Sequence, residues 1–176
     1  LGDATARQAR FGALRLAERP DVGLASLALR KGGSAPAPFG LVLPGPGEAV
    51  FGEKASAYWT GPDQWMIEVP GQGTGEFAAA LREVAPGVSI TEQTDGFTVF
   101  EVTSDSGGAS IDALMAKLVN VDPAALGPGR ATRTGLLHMM VFLVRRSEDR
   151  LDVIAMRSFA RAVWHALSVA AERLEG

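Results

Sequence analysis

The sequence contains no cysteine. Disulfides, a thiol nucleophile, Cys-ligated zinc and iron–sulfur clusters are therefore excluded as chemistry of this chain. Histidine is scarce: the two present, His138 and His165, have no partner at metal-binding spacing, and no acidic cluster suits a hard cation. No apolar run reaches the roughly 20 residues that a membrane helix needs. No leader peptide is recognisable, so the cytoplasm is the expected compartment, without a membrane partner. Basic residues are scattered rather than clustered, and 17 Lys and Arg against 20 Asp and Glu leave a net charge of −3. That pattern argues against nucleic acid as a partner. The Gly71–Gly75 segment precedes a helical pattern but lacks both the G-x-G-x-x-G fingerprint and the P-loop lysine, so it reads as a flexible turn. Gly107-Gly108 carries no phosphate signature either.

What is present is core material. Apolar residues make up 47% and charged residues 21% of 176 residues, enough to bury a real core. Residues 1–22 read as an N-terminal arm with a short helix within 1–20, and 23–176 as a single domain. Strands are expected at Leu24–Arg30, Ala55–Thr60, Gln64–Val69, Val88–Thr91, Phe97–Thr103 and Leu151–Met156, with Gly61-Pro62-Asp63 as a hairpin turn. Ala35–Glu48, rich in Pro and Gly, is loop. Helices are expected from Thr74 to Val84, from Ser110 to Leu118 and from Ser158 to about Leu174, each opening on a hydroxyl that can cap it. Their apolar positions recur every three to four residues: Phe77, Leu81, Val84; Ile111, Leu114, Met115, Leu118; Phe159, Val163, Trp164, Leu167, Ala171. The order points to an α+β fold, a mostly antiparallel sheet with helices packed on it and split-βαβ, ferredoxin-like elements.

The stretch Val121–Val144 organises the rest. Pro123, Gly127, Pro128 and Gly129 exclude α-helix, and Met139–Val144 reads as a buried strand. A turn thereby delivers Arg130, Thr132, Arg133 and Thr134 to the mouth of a central strand. Arg145–Arg150 reads as a polar hairpin loop. His138 reads as a core or subunit-contact imidazole, His165 as a surface or interface residue. Tyr58 and Trp59 point to opposite faces of one strand, so either both faces are packed or one aromatic, with Trp65 near, is open to a partner or ligand.

Four blocks, in order, resemble one family. Tyr58-Trp59-Thr60-Gly61-Pro62-Asp63-Gln64-Trp65-Met66-Ile67 is similar to the L-W-L-G-P-D-E-W-L-L block of the gamma subunit of heterotetrameric sarcosine oxidase. Thr91–Thr103 resembles its strand before a helix. Val121-Asp122 through Gly129, then Arg133-Thr134 and Leu137-His138, resemble a third block, and Arg157-Ser158-Phe159-Ala160 with Trp164 a fourth. Asn120-Val121 stands where the family commonly has Lys-Gly, and Ser104-Asp105-Ser106-Gly107 replaces Ser-Gly-Pro. The resemblance implies a fold like the folate-binding first domain of aminomethyltransferases. It implies a non-catalytic accessory subunit of an enzyme that oxidatively demethylates sarcosine to glycine. Hydrogen peroxide forms, and the one-carbon unit passes to tetrahydrofolate. FAD, FMN, NAD and tetrahydrofolate would then sit in partner subunits, and the partners would be the alpha, beta and delta subunits. No catalytic residues or metal are expected. Candidates for a ligand site or subunit interface are Tyr58, Trp59, Asp63, Trp65, Arg130, Arg133, Thr134, His138, Arg157 and Trp164. The rival reading is a standalone folate or small-molecule binder, with pterin stacked on an aromatic and the folate glutamate paired with Arg133.

Overall fold

Leu14 and Leu16 alternate with Arg15 and Ala17, and Gly12, at φ +51, supplies the left-handed turn just before them. A two-residue loop with such a residue favours a hairpin, and the computed structural model, which describes residues 5–175, shows one. In chain order the elements are β1 (Gln8–Phe11), β2 (Leu14–Arg19), β3 (Val22–Ala28), β4 (Ala49–Phe51), β5 (Ser56–Gly61), β6 (Gln64–Pro70), α1 (Phe77–Val84), β7 (Ser89–Glu92), β8 (Phe97–Ser104), α2 (Gly108–Leu118), β9 (Ala131–Leu136), β10 (Met139–Ser147), β11 (Arg150–Met156) and α3 (Ala160–Glu172). The α+β expectation holds, with two antiparallel sheets and three α-helices among the described residues. Among the described residues, no helix is long and apolar enough to cross a membrane.

The chain divides into two compact units. The first joins residues 5–20 to 98–175 and carries the sheet β1-β2-β8-β11-β10-β9. Period-2 alternation aims Leu14 and Leu16, Phe100 and Val102, Val141 and Leu143, and Leu151 and Val153 at one face. There they meet Ile111, Leu114 and Met115 of α2 and Val163, Leu167 and Ala171 of α3 in one buried cluster. On the other face an ion-pair ladder crosses four strands. Arg19 and Arg150 both reach Glu101, at 2.9 and 2.6 Å. Asp152, 1% exposed, pairs with Arg146 and lies 3.7 Å from Arg150. A buried carboxylate is tolerable only when so paired.

The second unit, residues 21–97, carries the sheet β4-β5-β6-β3-β7. Ala25, Leu27, Ala57, Trp65 and Ile67 pack under Phe77, Ala78 and Leu81 of α1.

Several expectations are corrected. Residues 8–19 form a hairpin paired to β8 rather than an arm with a helix. Arg- and Ala-rich segments favour helix locally, and the ladder overrides that preference. Residues 131–136 are not a turn but the edge strand β9, and β10 lies second from that edge rather than centrally. Arg145 and Arg146 belong to β10, so the loop between β10 and β11 is only Glu148-Asp149. No helix uses the expected hydroxyl cap: α1 and α3 start after Glu76 and Phe159, and Ser110 lies inside α2. Val84 and Phe159, assigned to buried faces, are exposed.

Candidate functional site

Tyr58, Trp59, Asp63 and Trp65 share the β5–β6 hairpin of the second unit. Trp59 and Trp65 are cross-strand partners, and both pack against that unit's core. Trp65 is 7% exposed, and its indole N–H donates to the Pro44 carbonyl at 2.8 Å, tying down the Pro- and Gly-rich loop. Tyr58 points the opposite way and is buried. Both faces of β5 are therefore packed. Asp63 occupies the hairpin turn at φ +56, a conformation that Asp tolerates better than most residues, and its carbonyl accepts from the Leu29 N–H at 3.0 Å.

Arg130, Arg133, Thr134 and His138 share β9 and its ends in the first unit. Arg133 is exposed, its guanidinium 5.9 Å from the centre of the Phe142 ring on the paired strand. His138 is exposed in the two-residue turn Leu137-His138, so it is not a core imidazole. Arg157 is exposed just before α3. Trp164 is half-buried on α3, packed on the core with its ring 6.0 Å from that of Phe100. The ten candidates thus fall into two groups, one in each unit.

Sequence reasoning missed one strongly engaged ionisable group of the second unit, Glu92 at the end of β7. One carboxylate oxygen accepts the Ala78 N–H, in the first turn of α1, at 2.7 Å. The other accepts the Thr94 N–H at 3.1 Å and the Thr94 hydroxyl. Glu92 thereby caps a helix whose own N-cap, Glu76, makes no side-chain cap bond. Partial burial pushes the Glu92 carboxyl up, but the Ala78 N–H, the Thr94 hydroxyl and the Thr94 and Gln93 N–H groups outweigh it. The net result lies below the ordinary value near 4.5. The shallow pocket of Gly73, Thr74, Arg82 and Asp95 beside it already has its helix terminus filled by protein carboxylate. An incoming phosphate would face that charge. No sequence signal pointed to it, because Thr74 reads as the local cap of this helix.

Glu92→Ala is expected to cost about 1–2 kcal/mol at neutral pH, as for loss of an N-cap. Glu92→Gln keeps an acceptor and should cost less. Because the folded pKa is depressed, this stabilisation is present above about 4.5 and is lost as pH falls through the folded value. Urea unfolding at neutral and acidic pH should show the gap between wild type and Glu92→Ala narrowing in acid. A gap that does not move with pH would disprove the ionised cap.

The first unit holds a second missed group, Arg145, 2% exposed. Its Nε donates to the Ser147 carbonyl at 2.8 Å, Nη2 to the Glu148 carbonyl at 2.6 Å and Nη1 to the Asp112 carboxylate at 3.1 Å. These bonds join the β10–β11 turn to α2. Among the described residues, no group of three or more His, Asp or Glu side chains could hold a metal.

The model of the sarcosine oxidase gamma subunit family matches residues 33–173. Among solved structures, the chain is similar to a chain of the heterotetrameric sarcosine oxidase from Corynebacterium sp. U-96, in complex with pyrrole 2-carboxylate. The identity is 18% and the TM-score 0.73, with 96% of this chain and 88% of that one covered. It is also similar to the glycine cleavage system aminomethyltransferase T from Bartonella henselae. There the identity is 15% and the TM-score 0.63, with 88% of this chain covered and 48% of that one, about half its length. At these identities the likenesses establish the fold. No curated protein matches.

Proposed function

Since the chain belongs to the sarcosine oxidase gamma subunit family, we propose that it is the non-catalytic accessory subunit of a heterotetrameric sarcosine oxidase. The observation that carries this reading is the extent of the match, which runs through both compact units. On this proposal residues 23–176 act as one family domain in the cytoplasm. The parent complex demethylates sarcosine oxidatively to glycine, forms hydrogen peroxide and passes the one-carbon unit to tetrahydrofolate. FAD, FMN, NAD and tetrahydrofolate belong to partner subunits, the alpha, beta and delta chains. The residues of this chain fit a flavin or dinucleotide poorly at the glycine-rich segment before α1, Gly71–Gly75. There the Glu92 carboxylate holds the N–H that a phosphate would need, and Trp65, a stacking candidate, is buried with its indole N–H engaged. Three engaged ionisable groups, Glu92, Arg145 and Asp152, bind a helix end, turn carbonyls and a neighbouring strand, which supports a structural role.

The test is co-expression with the alpha, beta and delta subunits of a heterotetrameric sarcosine oxidase. The expected result is one complex containing all four chains, with sarcosine oxidation by the complex and none by this chain alone. Failure to co-purify, or turnover by the lone chain, would overturn the proposal. Tetrahydrofolate binding to the lone chain tighter than about millimolar, some −4 kcal/mol, would favour the folate-binder reading instead.

A further inference from the structure

In the first unit, a groove of about 540 Å³ opens between the C-terminal end of α2, one side of α3 from Ala162 to Arg173 and the β9–β10 turn. Met139, Ala166, Ala170 and Leu137 are among its apolar lining. Leu137 is 64% exposed and has φ +53. A leucine in the left-handed region is strained, and glycine would hold the same two-residue turn without that strain. A strained, solvent-facing leucine contributes nothing evident to the fold, and such outliers collect where a surface is used.

Charge points to the kind of surface. The whole chain is acidic, at −3, yet the charged and titratable residues lining this groove are Lys117, His165 and Arg173, with no carboxylate among them. Among the described residues, neither Lys117 nor Arg173 forms a salt bridge. Both stand at helix C-termini, where a cation is favoured locally. That accounts for each position separately, but not for the exposed, strained leucine that lines the same groove.

We infer that this groove docks a segment of a partner subunit in which a large apolar side chain is flanked by carboxylates. The apolar anchor seats between Leu137 and Ala170, and the carboxylates meet Lys117 and Arg173. An apolar centre with a charged rim is the usual anatomy of a specific interface. The inference rests on the accessory-subunit reading and adds the location and chemistry of the contact.

The experiment compares complexes formed by co-expressing the alpha, beta and delta subunits with full-length wild type, Leu137→Gly or the double variant Lys117→Glu/Arg173→Glu. Retention of this chain is followed on dilution and across a salt series. Leu137→Gly should fold with an unchanged or higher urea midpoint and yet lose at least about tenfold in affinity, a hot-spot effect. The double variant should assemble more weakly and lose the salt sensitivity of the wild type. If wild type assembles and both variants assemble equally well, the groove assignment falls while the subunit reading stands. If wild type does not assemble, both fall. If wild type alone sediments as a dimer that Leu137→Gly disperses, the occupant is a second copy and the partner assignment is wrong.

Discussion

Trp65→Ala is expected to remove about 3–5 kcal/mol of stability, the range for truncating a buried aromatic. Trp65 fills the core between β6 and α1 and is 7% exposed. It also donates its indole N–H to the Pro44 carbonyl, so the loss includes the anchor of the loop before β4. Trp65→Phe separates the two contributions. It keeps most of the apolar volume, removes the donor, and should cost about 1–3 kcal/mol, the range for leaving a buried acceptor unmade. Urea unfolding gives both values. Hydrogen exchange of residues 35–48 should rise in both variants, because both lose the bond to Pro44. A loss below about 1 kcal/mol for Trp65→Ala, typical of surface changes, would place Trp65 outside the core and reopen it as a partner or ligand contact.

The second large effect is expected at Arg145. Arg145→Ala removes three hydrogen bonds and a buried stem, and strands the Ser147 and Glu148 carbonyls that it now holds. The expected cost is about 3–5 kcal/mol, as for breaking a buried, hydrogen-bonded charge. Asp112, whose side chain is 43% exposed, can regain water when Arg145 is lost. Asp112→Ala leaves the buried guanidinium its two carbonyl partners and should cost less than Arg145→Ala, about 1.5–3 kcal/mol. Arg145→Met, which refills the volume, should recover part of the loss. Gly108, the first residue of α2, tests the same contact from the other side. A Cβ there would stand 2.8 Å from Arg145 Nη2 and 2.9 Å from the Glu148 carbonyl oxygen, so Gly108→Val should be destabilising. The combination of Gly108→Val with Arg145→Ala should cost less than the sum, since the two changes share one contact. Strict additivity, or an Arg145→Ala loss under about 1 kcal/mol, would refute the buried arginine.

Legibility in the sequence followed the range of the interaction. The α2 face was readable because Ile111, Leu114, Met115 and Leu118 lie within one helix, and periodicity reports such neighbours directly; all four are buried. The β5–β6 hairpin was readable because Gly61-Pro62-Asp63 encodes its own turn. The opposed directions of Tyr58 and Trp59 followed from pleating alone. Conversely, the cap of α1 was assigned to Thr74 because local caps are the rule, whereas the carboxylate that does the capping comes from another element.

Local pattern and family resemblance were therefore enough for the α+β class, the buried face of α2, the β5–β6 hairpin and the family. Only the tertiary structure decided that residues 8–19 pair with β8, that β9 is an edge strand, that His138 is at the surface and that Arg145 is inside. Leu16 meets Val102 across the sheet, and nothing in the ten residues around either one names the other. A strand takes its place from whichever ladder satisfies its N–H and C=O groups, and an arginine is buried only where distant carbonyls converge on it. Such partners are set by chain topology, which no local pattern encodes.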